Sequence, residues 1–185
     1  FMGSLVMHCC VGEILKKRYK FSERFTLGTL KPDILKLSVG DRDKTHYIKR
    51  IIEGQGVKKL PDILEFIQEN KESIKDEEQL GYLCHLIEDR IWFDDYVGKY
   101  TRTDANDIDK VVYIQNGNVI KSMKEFSADM YKDYANINKF LIEKYKIDID
   151  EIKKLIANYI GEKNFNEKVE KNFAVNDADI GKENT

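Results

Sequence analysis

Five side chains in this sequence have the types and order to do metal chemistry: His8, Asp33, His46, His85 and Asp89. The first, third and fourth are all the histidines the protein has. Imidazole and carboxylate offer nitrogen and oxygen donors, a set that suits zinc better than a thiolate structural site would. His85 and Asp89 lie four apart, so on a helix they stack one turn above the other and can converge on one ion. Taken alone, an H-x-x-x-D pair is more often a histidine hydrogen-bonded to its neighbour in a half-buried helix. The other three donors sit on separate segments, and they reach the pair only if those segments bundle around one cavity.

The stretch Gly81–Tyr100, GYLCHLIEDRIWFDDYVGKY, must hold the pair. It has no proline and its apolar residues recur at helical spacing, which predicts a long helix from about Asp76. On a wheel, Leu80, Leu83, Leu86, Ile87, Ile91 and Val97 form an ordinary core stripe. His85 and Asp89 lie opposite, flanked by Tyr82, Trp92, Phe93 and Tyr96. Lysine and glutamate would dominate that second face were it solvated, so both faces are expected to be covered. Trp92 and Tyr96 are candidates to line a pocket and stack on a substrate, although aromatics at this spacing also serve as core.

The remaining elements follow from periodicity and punctuation. His8 opens an amphipathic helix over about Val6–Lys17. Ser22 reads as an N-cap for the next, with small Gly28 and Thr29 allowing close approach to a neighbour. Pro32 is expected to end that helix and present Asp33 at the break. A helix over Lys44–Ile51 would carry His46 in its first turn. Pro61 takes the first position of a helix over Leu60–Asn70. The sequence VVYI-QNGN-VI predicts a small β-hairpin near residues 111–120. Ser122 caps a helix over about Met123–Tyr145, with Phe126, Met130, Ile137, Phe140 and Leu141 inward. Asp148 or Asp150 caps Ile149–Ile160, which Gly161 ends. The expected fold is therefore all-α: one multi-helix bundle over residues 1–175 with that single hairpin, and a polar, frayed tail over 176–185.

Composition narrows the class. With 35% charged residues and a net charge of −2, there is no basic surplus for nucleic acid. Lysines and acids are interspersed, and no stretch approaches a transmembrane span or a signal peptide. Cys9, Cys10 and Cys84 form no C-x-x-C pair or disulfide framework, which favours reduced thiols and a cytoplasmic location.

In order, the sequence shows His8, then Leu27-Gly-Thr-Leu-Lys-Pro-Asp33, then Thr45-His46, then Gly81-Tyr-Leu-Cys-His85-x-x-x-Asp89. This resembles the zinc-dependent phospholipase C family, which shares its helical fold with zinc-dependent single-strand nucleases. The match spans residues 8–96. The resemblance implies that Asp33, His46, His85 and Asp89 surround a main zinc, with Asp89 bridging to a second that His8 helps to hold. It implies hydrolysis of a phosphodiester by a zinc-bound hydroxide, with Asp33 both ligating and orienting the attacking water, on a small phosphodiester or phospholipid headgroup. Where the family carries a further histidine ten residues beyond the one matching His85, this chain has Asp95. No histidine follows His85, so the family's later H-x-x-x-E is absent, and Asp129 and Asp133 are its nearest replacements. Tyr131-Lys-Asp133-Tyr134 also resembles a segment of small bacterial relatives. One or two zinc ions are expected, with Asp95 and Asp133 as a further oxygen-only site suited to harder ions. Two other readings stand beside this one. A phosphohydrolase of the His-Asp dipeptide class lacks its dipeptide here, and a helical interaction module would keep only a vestigial or structural metal site.

Overall fold

In a computed structural model the described residues are 4–53, 56–104, 106, 110–113 and 119–173. The chain is helical, with one small antiparallel sheet. Helix α1 (Leu5–Tyr19) is capped by Ser4, and α2 (Glu23–Val39) by Ser22. A single turn, α3 (Arg42–Thr45), leads into strands β1 (Ile48–Glu53) and β2 (Gly56–Pro61). Helix α4 (Ile63–Glu69) precedes α5 (Glu77–Ile91), which continues through a π-helical turn, Trp92–Val97, into the short α6 (Gly98–Tyr100). Strands β3 (Thr101–Asp104), β4 (Lys110–Tyr113) and β5 (Val119–Ser122) follow. Helices α7 (Met123–Tyr145), α8 (Ile149–Ile160) and α9 (Glu162–Lys168) complete the fold, with a 3-10 turn at Glu170–Phe173.

Several expectations hold at the residue level. Ser122 closes a capping box with Glu125, Asp148 caps α8, and Gly161 ends it at φ 84°. The hairpin appears as the β4–β5 pairing, although its turn falls outside the described residues, as does the tail.

Others are corrected. Pro32 lies buried inside α2 instead of ending it, so Asp33 projects from mid-helix. A proline within a helix removes one donor and one i→i−4 bond, a cost the surrounding packing here outweighs. The Lys44–Ile51 segment is a strand after one helical turn, because its β-branched residues pair with β2 from Ile48↔Pro61 to Glu53↔Gly56. Pro61 consequently ends β2, and Asp62 caps α4. Pairing of β2 with β3 and of β3 with β4 joins all five strands in sequence order, a larger sheet than one ribbon. Phe140 points outward at 58% exposure. On α5 the stripe is also displaced: Ile87 and Ile91 are exposed, while Gly81, Tyr82, His85, Leu86 and Asp89 are buried.

Two apolar clusters flank that buried face. The larger joins α1, α2, α8 and α9 through residues such as Val6, Leu30, Ile34, Ile156 and Val169. The smaller stacks Phe66 on Tyr82, with ring centroids 5.0 Å apart, beside Leu86. Between them α2 and α5 cross with Gly28 against Gly81. A Cβ on Gly81 would stand 2.1 Å from Phe25 O and 2.9 Å from Gly28 Cα, and one on Gly28 would stand 2.1 Å from Glu78 O. The two backbones touch, as the small residues around Gly28 foretold. Among the described residues no helix is long and apolar enough to cross a membrane.

Because the obstructing atoms are backbone, Gly81→Ala must push the helices apart. It should cost about 3 kcal/mol and lower Tm by roughly 6–12 °C in thermal unfolding. An unchanged Tm would show that the crossing is not tight.

Candidate metal centre

His8 on α1, Asp33 on α2, His46 at the end of α3, and His85 and Asp89 on α5 all point into the space between these elements, each 0–2% exposed. His46 stands just before Tyr47, whose φ of 51° turns the chain sharply from α3 into β1. That left-handed residue is held by packing edge-on against Phe66, ring centroids 5.2 Å apart. The turn fixes the direction in which His46 leaves the backbone.

The three imidazoles are arranged alike. Each has Nδ1 tied to an outer group and Nε2 turned inward. His85 Nδ1 donates to the Thr29 carbonyl at 2.7 Å, a bond that the Gly28–Gly81 contact brings within reach. A carbonyl only accepts, so His85 Nε2 keeps its lone pair when the ring is neutral. His8 Nδ1 lies 3.0 Å from Glu88 Oε2, and His46 Nδ1 lies 2.9 Å from the Thr45 hydroxyl. Inside, His46 Nε2 is 3.2 Å from Asp33 Oδ1 and 4.0 Å from Asp89 Oδ2. His8 Nε2 is 3.4 Å from Asp89 Oδ1, and His85 Nε2 is 3.9 Å from Asp89 Oδ2. Asp89 thus turns one oxygen toward His8 and the other toward His46 and His85. The rings of His8 and His85 stack at 3.7 Å, and those of His46 and His85 meet edge-on at 5.1 Å.

Two donor groups result, His8/His85/Asp89 and Asp33/His46/His85, each with its ligand atoms within 4.8 Å of one another. Donors around a tetrahedral zinc at about 2.0–2.2 Å stand roughly 3.3–3.6 Å apart, so small adjustments would suffice. Buried and without a hydrogen-bond partner are His85 Nε2 and Asp33 Oδ2, the atoms an ion would engage. The donor set and these orphaned atoms fit zinc.

Electrostatics sharpen the picture. Burial opposes the Asp33 carboxylate, but the His46 hydrogen bond and the surrounding imidazoles outweigh it and hold its pKa down at about 2. Asp89 is likewise held far below the usual carboxylate range against burial, by His8, His85 and Arg42. Burial, with His8 beside it, pushes His85 down to about 3, so this ring is neutral at ordinary pH. Burial alone would lower His8 too, yet Glu88 and Asp89 raise it well above its usual value. Deprotonated carboxylates and a neutral imidazole are the forms that bind metal.

Three groups around the centre escaped sequence reasoning. Glu88 orients His8 and also accepts from the Cys84 thiol at 3.3 Å. Its place beside Asp89 was the signal, since both belong to one turn of α5. Thr45 orients His46. Arg42 lies one turn before His46, with Nη2 3.6 Å from Asp89 Oδ2.

The structure does not bring Asp95 or Asp133 to this cluster; both are exposed. Asp95 lies within the π turn, whose wider winding rotates it from its α-helical position. Asp94 pairs with Lys58 at 2.7 Å, while Arg90 donates to the Pro61 carbonyl. Trp92 stacks on Tyr96 at 5.5 Å and donates to the Tyr134 hydroxyl, and both rings line an open groove of about 480 Å³ together with Asp133. Tyr82 is core, its hydroxyl donating to the Thr45 carbonyl.

No family model, curated protein or solved structure matches this chain. The case for a metal centre stands on the geometry above.

Outer hydrogen bonds to ligating histidines hold the ring orientation and raise donor strength. Glu88→Gln should therefore weaken zinc binding by about 10–100-fold in chelator competition. Asp95→Ala should leave zinc content and affinity at wild-type values, and a loss of zinc would restore Asp95 as a ligand.

Proposed function

We propose that this protein is a metal-dependent hydrolase of phosphodiester bonds, a phospholipase C-like enzyme built around one or two zinc ions. One observation carries the reading: three Nε2 atoms from three separate elements converge on two carboxylates while every Nδ1 is held from outside. A buried network of ion pairs, His46 with Asp33 and His8 with Asp89, is the alternative. It leaves His85 Nε2 and Asp33 Oδ2 buried with nothing to bond, a cost of about 1–3 kcal/mol each.

Zinc in such a site acts as a Lewis acid toward the phosphoryl group and lowers the pKa of water to about 7. The chain's own residues divide the remaining work. Asp33, His46, His85 and Asp89 are the ligand candidates for the main ion, and His8 with Asp89 for a second. Asp33 is held as a carboxylate, so besides ligating it would orient water entering the centre as a hydrogen-bond acceptor. Thr29, Thr45 and Glu88 keep the rings from turning. The substrate is a small phosphodiester or a phospholipid headgroup. Unpaired Cys9, Cys10 and Cys84 support a reducing compartment, and we assign the protein to the cytoplasm.

Elemental analysis of the purified chain should find about one or two zinc ions, and a chromogenic phosphodiester should be turned over only while zinc is bound. His85→Ala removes the ligand common to both donor groups and should abolish zinc retention and turnover together. Full turnover by a metal-free His85→Ala protein would overturn the enzyme reading. Wild-type protein that holds no zinc would leave the ion-pair network as the site's role.

A further inference from the structure

A cleft of about 370 Å³ opens beside the metal centre, between β2, β3 and the π turn. Arg42, Lys58, Lys59 and Arg102 line it, with Phe93 and Val97 as apolar wall. Half of this charge is already matched. Lys58 pairs with Asp94 and Glu53, Arg102 pairs with Glu53 and donates to the Gly98 carbonyl, and Asp43 on the rim pairs with Arg50.

The other two are matched less fully, Arg42 only by a long ion pair with Asp89. Lys59 makes no ion pair among the described residues. Arg42 is only 18% exposed, and its guanidinium lies 5.6 Å over the Phe93 ring. Its Nε and Nη2 are buried without a hydrogen-bond partner, and Nη2 stands 3.6 Å from Asp89 Oδ2, beyond hydrogen-bonding reach. Two buried guanidinium donors left unmet are costly, and a planar fork of N–H groups matches the oxygens of a phosphate. Arg42 is also where the cleft meets the centre, because the same guanidinium lines the one and touches Asp89 of the other.

We infer that the cleft is an anion site for a phosphoryl group, in which Arg42 donates Nε and Nη2 to its oxygens and Lys59 balances the remaining charge. The ligand is a phosphorylated small molecule whose apolar part packs on Phe93 and Val97. This deepens the phosphodiesterase reading by naming how the substrate is seated, and it rests on that reading only for the meaning of the site. Binding itself does not require zinc.

The experiment titrates pyrophosphate into the 185-residue chain by calorimetry, both as purified and after chelation. Arg42→Gln should weaken binding by about tenfold or more in each form, the loss of one charge-assisted interaction. Lys59→Gln should weaken it by a smaller factor. Lys163→Gln, which removes an exposed charge on α9, should bind as wild type. Equal affinity in wild type and Arg42→Gln, or an equal loss in Lys163→Gln, would overturn the proposal. Should Arg42→Gln shed zinc through its contact with Asp89, Lys59→Gln decides. Weaker binding with full zinc sustains the site, and unchanged binding defeats it. Turnover of an ester with one phosphate tells two sources apart: parallel loss in Arg42→Gln assigns the site to the reacting phosphate, and normal turnover assigns it to a second one. Arg42-dependent pyrophosphate binding by a protein that never holds zinc would sink the hydrolase reading alone. Zinc-dependent turnover with Arg42-independent binding would sink the anion site alone.

Discussion

Gly28 and Gly81 let α2 and α5 meet backbone to backbone, and the geometry of the centre depends on that contact. Helices separated by ordinary side chains stand about 8–10 Å apart, whereas at Gly28 and Gly81 no side chain stands between the two backbones. Here the Thr29 carbonyl reaches His85 Nδ1 at 2.7 Å one residue beyond the contact. Asp33, one turn further along α2, then faces His46 and the His85 side of the cluster. Apolar clusters on either side hold the crossing in place. The glycines set the distance, and the chemistry follows from it.

A second constraint is electrostatic. Burying carboxylates and imidazoles together is expensive unless each is paired, and a half-satisfied network is costlier than an apolar core. The centre meets the demand partly by itself, through His8 with Asp89 and His46 with Asp33, and partly through Arg42 and Glu88 at its edges. His85 is the member left neutral, with its inner nitrogen unbonded. A cation would satisfy that nitrogen and both carboxylates at once.

The ligand candidates were legible because chemistry-bearing residues are scarce here. With only three histidines, residue type and order named the candidates, while their convergence depended on how the separate segments bundle. Helix ends were legible where a single residue decides them, as at Ser22, Ser122, Asp148 and Gly161. The rest depends on interactions the local sequence does not carry. Ile48–Glu53 becomes a strand through its pairing with Gly56–Pro61, and Pro32 stays helical because α2 is packed on several sides. A wheel divides α5 correctly into faces, and the expectation that both are covered holds for the His85–Asp89 face and for Leu86 but not for Ile87 and Ile91. Arg42 and Glu88 resemble any surface charge until the fold places them beside Asp89.

The π turn at Trp92–Val97 behaves as an insertion of one residue into an otherwise regular helix. His85 and Asp89, before it, belong to the candidate metal centre, whereas Phe93 and Val97 within it wall the cleft. The helix therefore carries two surfaces whose relative phase is set by a single residue of length. Deleting one residue there would leave the ligands where they are and rotate the downstream wall by about 100°. Changes of chain length at this point are thus a means of reshaping what the cleft admits without touching the centre.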